Sequence, residues 1–521
     1  MSIFSITKCM WGKDSCLWFR AAIIDQYGSW RKQLTTLRLR PWFPIECGVL
    51  DDRRTCKASI CRKSQTKAEM AHFLKVLVSA SEKSANIARA CRYEEDLFQL
   101  LIQEKKGDEM NRRFFQDFKT LADVLIQETV RHDIGKEFPE IAEFIKGEEN
   151  NTFTNTLGES ITVEVKECSG DTSSMLCKVL DGNENAANLL AAEVHREIHL
   201  EEDFSRLSDC PQLPINQLGI WIDPIDSTAE YISGGCTNVT EGSESPASSI
   251  HQSGLPCVTV LIGAFHRQTG TPIVGVVNRP FSLEDSTSGM WTGRYYWGIS
   301  YEDYRMSSIL SDQEEVEKGS AQGGGMRMVE LSVEGGGSAE EKGTSRGGMQ
   351  SRGVVVISRS ESEALRRRLA TRYTVVEVAG AGHKQLCVAL GEADAYLLTR
   401  PTTFRWDACG PHALLSALGG GVVDFRRVAT AAADSCPLPP SHLLECPGLK
   451  EALPFMLDLE LRFGLRYNDE DESNADGESS TTSSPAKWCN SGGVIAYRSP
   501  RFLLQLVGTI RQPAGAITSP V

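Results

Sequence analysis

The stretch that most constrains this chain is Trp221-Ile222-Asp223-Pro224-Ile225-Asp226-Ser227-Thr228. Leu218 to Ile222 is apolar enough for a buried strand. The proline two positions on cannot donate to a sheet ladder, so the strand is expected to end at Asp223. Asp226, Ser227 and Thr228 then suit a helix start, where side-chain oxygens and free amides gather. Two acids three positions apart across such a turn can converge on one cation, beside helix amides that suit a phosphate.

Around this stretch, apolar spacing predicts helices over 67–106, 115–130 and 186–198, and one from 413 to 418 stopped by Gly419-Gly420-Gly421. Short strands are predicted over 161–165, 218–222, 258–265, 273–278, 354–357, 375–378, 395–399 and 422–425, with a turn at Gln268-Thr269-Gly270. Helices alternating with short strands predict a layered α/β (α+β) architecture. Residues 1–65 differ: twelve Lys/Arg face five Asp/Glu, and no periodicity persists. They are expected to form a poorly ordered basic leader with no assigned function. The main domain is expected over 66–510, with 511–521 a tail. Polar inserts near 236–254, 312–350 and 468–486 are too polar to bury and are expected to be mobile surface loops.

A net charge of −14 disfavours nucleic acid as a partner. No stretch approaches the roughly 18 apolar residues of a membrane span. Sixteen scattered cysteines, with neither C-x-x-C nor zinc-like spacing, suit reduced thiols and a cytoplasmic location.

Three further acidic positions stand out. Asp407 follows Trp406 at the start of a helix, where a lone acid is ordinarily a cap. Glu148-Glu149 follows Gly147, and an adjacent acid pair is ordinarily solvated surface. Asp123 is flanked by Leu121-Ala122 and Val124-Leu125. Taken jointly they mean more. Carboxylates are the ligands Mg²⁺ prefers. Several acids share a site only if cations offset their repulsion. A multi-metal site is a common solution for in-line phosphoryl displacement.

In this order, Asp123, Glu148-Glu149, Asp223 to Thr228 and Trp406-Asp407 resemble the signature of the lithium-sensitive, Mg²⁺-dependent phosphomonoesterase superfamily of inositol monophosphatase and fructose bisphosphatase. Gly219-Ile220-Trp221, Ala379 to Lys384 and Gly492 to Arg498 support the resemblance, which covers roughly 66–510. It implies an αβαβα sugar-phosphatase fold, as a monomer or homodimer. It also implies two to three Mg²⁺ ions. Glu148, Asp223 and the carbonyl of Ile225 would hold one, and Asp223, Asp226 and Asp407 a second. Glu149 and Asp123 would lie beside a weaker third. Thr228, aided by Asp123, would orient a water activated by the metals, with Glu149 beside it. Ser227, Thr228, Ser358, Ser360, Gly380, Ala381, Lys384 and Thr402 would meet the substrate.

That substrate would be an inositol polyphosphate losing its 1-phosphate, with Li⁺ as inhibitor. A bisphosphate nucleotidase of the same superfamily is the alternative, although such enzymes usually show Gly where Ser227 stands. A catalytically silent phosphoinositol-binding homologue is a third reading. The chain departs from the family at His383, more often Tyr, and at Gly410, more usually Ala, which a tight turn would tolerate. Gly380 to Lys384 lacks the spacing of a nucleotide phosphate loop. His195 and His199 sit four apart on an expected helix but lack H-E-x-x-H, so a solvated polar face is expected there.

Overall fold

The computed structural model describes residues 52–93, 98, 102–105, 118–202, 204, 207, 211, 213–235, 249–309, 352–431, 458–468 and 485–511, with side chains of the first helix from Glu69 onward. The chain divides into Met1–Ile60 and Cys61–Val521. Of the first unit, residues 52–60 are described and are helical. The sheets, the cores and the acidic site all belong to the second unit.

Helix α1 (Asp52–Tyr93) leads to strands β1 (Ile102–Glu104) and β2 (Phe118–Thr120), then α2 (Leu121–Glu137) and β3 (Ile145–Gly147). Next come β4 (Thr152–Thr154), β5 (Ser160–Thr162), α3 (Ser169–Val179), α4 (Glu184–Val194), β6 (Leu218–Asp226) and α5 (Thr228–Ser233). A meander is then formed by β7 (Thr259–His266), β8 (Pro272–Glu284), β9 (Trp291–Tyr301) and β10 (Tyr304–Ser307). The last part comprises β11 (Val354–Ile357), α6 (Glu363–Ala370), β12 (Thr374–Glu377), α7 (Ala381–Leu390), β13 (Ala395–Leu398), α8 (Arg405–Ala417), β14 (Gly421–Asp424), α9 (Phe425–Thr430), β15 (Val494–Tyr497) and α10 (Pro500–Arg511).

Several expectations are corrected. Residues 52–65, expected to be unstructured, are helical. The first helix is described to Tyr93 and residue 98 is again helical, but Ile102–Glu104, expected to lie within a helix reaching 106, is a strand. The helix expected from 115 begins at Leu121, because Thr120 and Asp123 close a capping box there. The strands β9 and β10 have no counterpart among the strands predicted from the sequence. Residues 1–51, 236–248, 312–350, 469–484 and 512–521 lie outside the described residues.

The strands form two large sheets, ordered β10-β9-β8-β7-β6-β3 and β12-β11-β13-β15-β14. Strict alternation along the strands sorts their side chains into three cores. Ile220, Ile262 and Val276 face α1 and α2. Trp221, Leu261 and Val277 face α7 and α8, as do Val356 and Tyr396 from the second sheet. Val355 and Leu397 point the other way, toward α6 and α10. Helix, sheet, helix pair, sheet and helix therefore stack as αβαβα, each core lying between adjacent layers.

The central layer depends on three glycines. Gly263, Gly275 and Gly298 pair directly across β7, β8 and β9. Added Cβ atoms there would meet Gly410 N at 2.4 Å, Gly410 O at 2.0 Å and Leu414 Cα at 2.7 Å. A bare glycine row lets the backbone of α8 lie directly on the sheet. Gly410 is thus inside a helix, not in the tight turn expected for it. A Cβ on it would sit 2.9 Å from Ile262 O, so the close approach accounts for the glycine.

Candidate metal centre

Strand β6 does not end at Asp223. It continues through Pro224 to Asp226, with a register shift against β7: Asp223 pairs with Leu261 but Asp226 with Thr259. Three steps on one strand oppose two on the other, which is a one-residue bulge. Side chains alternate along a strand, so acids three apart would normally point to opposite faces. The extra residue cancels that alternation and turns both carboxylates toward α8. The convergence expected from the sequence is real, but a bulge produces it. Pro224 sits at the irregularity, where a missing N–H is tolerated.

From the other side, α8 presents Asp407 at its third position, where its Oδ2 accepts from Phe404 N at 2.6 Å. Asp223, Asp226 and Asp407 place one oxygen each within 4.8 Å of one another. Asp226 is fixed by Thr259 Oγ1 (3.1 Å) and by the backbone amides of Ala381 (3.1 Å) and Gly382 (2.7 Å), so it also caps α7. Asp223 Oδ1 is buried and has no hydrogen-bond partner among the described residues. A buried carboxylate oxygen without a donor fits a cation, because leaving it bare costs on the order of 1–3 kcal/mol or more.

Glu148 and Glu149 follow β3, whose parallel pairing with β6 brings them beside Asp223. The Glu149 backbone is clamped by Gln127 on α2: Gln127 Oε1 accepts from Glu149 N at 2.8 Å and Nε2 donates to Glu149 O at 2.5 Å. Gly147 is required there, since a Cβ would overlap Gln127. Lys105, buried, reaches Glu148 at 2.8 Å and Glu149 at 2.5 Å. Asp123 Oδ2 accepts from Thr120 N (2.6 Å) and Oγ1 (2.7 Å).

The electrostatics show how tightly these groups are gathered. Burial, then repulsion from Glu148, Asp226, Asp407 and Asp123, holds Asp223 well above the usual carboxylate range. Burial, then Asp226 and Glu148, does the same to Asp407. Burial raises Asp226 against the pull of Lys384. Burial pushes Asp123 up to about 7 and Glu149 up to about 8. Six carboxylates from four chain segments thus sense one another, with Lys105 and Lys384 at their edges.

The residues expected to meet substrate fare differently. Ser227 has φ 77°, and Thr228 donates its hydroxyl to the Ile225 carbonyl at 3.1 Å. Gly380 has φ 75°, and a Cβ on it would meet Cys257 O at 2.7 Å. The Ala381 amide is already committed to Asp226. Lys384 is buried; it donates to Val378 O at 3.1 Å, lies over the Tyr396 ring, and burial lowers it to about 8. It faces Asp226 and Asp407 from behind. Ser358 lies beside Tyr396, itself next to Asp407 and Asp226. Ser360 is exposed and Thr402 half-buried, and neither bonds an acid of the cluster among the described residues. His383 is buried against the His251 carbonyl (3.0 Å) and held neutral by burial, not turned toward the acids.

Sequence reasoning missed Lys105, Gln127 and Thr259. Gln127 lies four residues after Asp123, one turn along the same helix face, and that spacing was the available signal. Lys105 and Thr259 carried none.

A profile of the inositol monophosphatase family matches residues 128–436. Mouse inositol polyphosphate 1-phosphatase is 38% identical over 450 residues, covering 86% of this chain and 99% of that protein. The human protein of the same name is 38% identical over 437 residues, covering 83% and 96%. Human 3'(2'),5'-bisphosphate nucleotidase 1 is 24% identical over 248 residues, covering 46% and 62%. Among solved structures, an IMPase/NADP phosphatase complexed with Mg²⁺ and phosphate is 10% identical, covers 87% of this chain and 98% of its own, and has a TM-score of 0.37.

Proposed function

The chain belongs to the inositol monophosphatase family of phosphatases, and on that premise we propose that it removes the 1-phosphate of inositol polyphosphates in a Mg²⁺-dependent, Li⁺-inhibited hydrolysis. The carrying observation is the convergence of Asp223, Asp226 and Asp407, with a buried Asp223 oxygen that no donor satisfies among the described residues. Their oxygen-only donor set suits Mg²⁺. Glu148, Glu149, Asp123 and the Ile225 carbonyl stand beside them to hold further ions. Bound there, Mg²⁺ supplies a Lewis acid that polarises the phosphoryl group and lowers the pKa of a water.

The chain's own groups do the rest. Asp226, locked by Thr259 and the amides of α7, keeps its carboxylate aimed at the centre. Gln127 sets the backbone of Glu149. The Thr228 hydroxyl, bonded to the Ile225 carbonyl, would orient the attacking water, aided by Asp123 with Glu149 beside it. Ser227, Gly380, Ser358, Ser360 and Thr402 would meet a ring bearing a second phosphate. Lys384 acts from beneath, its charge offset by Asp226 and Asp407. Names borne by the mouse and human relatives support the substrate class.

No helix among the described residues is long and apolar enough to cross a membrane. Seven cysteines, Cys91, Cys168, Cys177, Cys257, Cys387, Cys409 and Cys489, are free thiols, which supports a cytoplasmic setting.

The test is phosphate release from inositol 1,4-bisphosphate, inositol 1,3,4-trisphosphate and adenosine 3',5'-bisphosphate, with Mg²⁺, with EDTA and with added Li⁺. Release from the inositol phosphates that stops in EDTA and falls with Li⁺ is expected. Preference for the nucleotide, or no release at all, would overturn the reading.

A further inference from the structure

Strand β8 carries Arg279, which is only 7% exposed and points to the α7 side of the sheet, as Val277 does two residues earlier. Its guanidinium makes no hydrogen bond or ion pair among the described residues, and its Nε is buried without a partner. Arginine stays charged in proteins, and a buried charge left unpaired is strongly destabilising. The side chain is therefore suited to an anion that the described chain does not supply.

The sheet register places Arg279 beside the metal centre. Asp226 pairs with Thr259, and Val260 pairs with Asn278, so the same ladder sets Thr259 opposite Arg279. Arg279 pairs in turn with Arg294 on β9, whose guanidinium lies 5.3 Å over the Tyr296 ring. Asp226, Thr259, Arg279 and Arg294 thus form one row at one end of the sheet. At the usual strand spacing the Arg279 backbone is about 10 Å from that of Asp226. Two like charges directly opposite each other on a ladder repel, which an anion between them would relieve.

Nearby acids do not fill this role. Asp226 is held by Thr259 and the α7 amides. Glu392, after α7, feels Arg279 through space but forms no ion pair with it, and its carboxyl is bonded to Cys387. The remaining polar neighbours are imidazoles. His383 Nε2 donates to the His251 carbonyl at 3.0 Å, which leaves its Nδ1 as a bare buried acceptor. Burial, then Arg279, lowers both His383 and His251, so both rings are kept neutral. A Cβ added to Gly380 would lie 3.2 Å from Asp226 Oδ2 and 3.2 Å from His383 Cβ, so one turn joins the metal centre to this corner.

The proposed substrate carries a phosphate that is not cleaved, and that phosphate needs a cation. Lys384 is committed to the Val378 carbonyl and faces Asp226 and Asp407 from behind. Lys105 is paired with Glu148 and Glu149. Resting on the function proposed above, we propose that Arg279 seats the uncleaved phosphate and so selects a bisphosphorylated ring, with His383 Nδ1 accepting from a ring hydroxyl.

The experiment compares wild type, Arg279→Met and Arg279→Lys in saturating Mg²⁺, with inositol 1,4-bisphosphate as substrate and inositol 1-phosphate as substrate or competitive inhibitor. In Arg279→Met, KM for the bisphosphate is expected to rise about 10- to 100-fold with kcat little changed. The KM or inhibition constant of the monophosphate should move by less than about threefold, because it has no second phosphate to lose. Arg279→Lys should recover part of the loss, keeping the charge without the planar fork. Arg279→Met should melt no lower than wild type, since it removes an unpaired buried charge. An unchanged KM for the bisphosphate, or an equal loss for both compounds, would overturn this inference while leaving the hydrolytic function standing. No phosphate release by wild type would overturn that function, and this inference with it.

Discussion

Replacing Asp223 by Asn tests the metal centre in two directions at once. Asp223, Asp226 and Asp407 have oxygens within 4.8 Å of each other. At an effective dielectric near 20, each ionised pair at that range repels by about 3–4 kcal/mol. The metal-free protein escapes part of this by binding protons, which is why burial and mutual repulsion raise Asp223 far above its ordinary 3.8. An acid raised in the folded state costs nothing below its unfolded pKa. It costs progressively more as pH rises from there toward the folded value. Metal-free wild type therefore loses stability as pH climbs from about 4 through neutrality, and Asp223→Asn loses less.

At about pH 7.5 the variant is expected to be about 1–2 kcal/mol more stable than wild type in EDTA, read as a Tm higher by a few degrees. In saturating Mg²⁺ the order reverses, because the variant no longer gains from the ion. Phosphate release falls by at least about 10³-fold. Calorimetry in EDTA and in Mg²⁺, at about pH 5 and about pH 8, reads all of this. If the variant melted below wild type in EDTA at the higher pH and kept the full Mg²⁺ shift, the reasoning would fail.

Three other perturbations test the packing. Gly275→Ala drives a Cβ into Gly410 O and is expected to cost about 1–3 kcal/mol in urea unfolding while weakening Mg²⁺ affinity, since α8 carries Asp407; unchanged stability would mean the helix is not seated on the glycine row. Gln127→Ala leaves the Glu149 backbone unclamped and is expected to lower kcat by about 10–100-fold with KM little changed; a pure KM effect would contradict a positioning role. Lys105→Met leaves Glu148 and Glu149 without their cation and is expected to cost about 3 kcal/mol in EDTA but much less in Mg²⁺; an equal loss under both conditions would point to packing alone.

How much of this was legible in the chain depends on the range of the interaction involved. Asp223 and Asp226 announce themselves because two acids around a proline at the end of an apolar run are a local pattern. Their chemistry was readable, yet the reason both face one way was not. The bulge that cancels strand alternation exists only against β7, 33 residues away at Thr259. The glycines of β7, β8 and β9 each look like an isolated weakness in a strand. Only pairing across the sheet turns them into the row on which α8 rests.

Asp407 reads individually as a helix cap and Asp123 as an acid among aliphatics, and in the structure each accepts the bonds of a cap. Lys384 was expected to reach toward substrate and instead lies buried beneath Asp226, a placement set by the start of α7. By itself the sequence determined which side chains are candidates for the chemistry, in what order, and that they belong to a layered fold, because residue type and short-range periodicity are properties of neighbours along the chain. The tertiary structure alone decided that six carboxylates gather in one place and which backbone holds each of them, because those outcomes depend on groups the chain keeps tens to hundreds of residues apart.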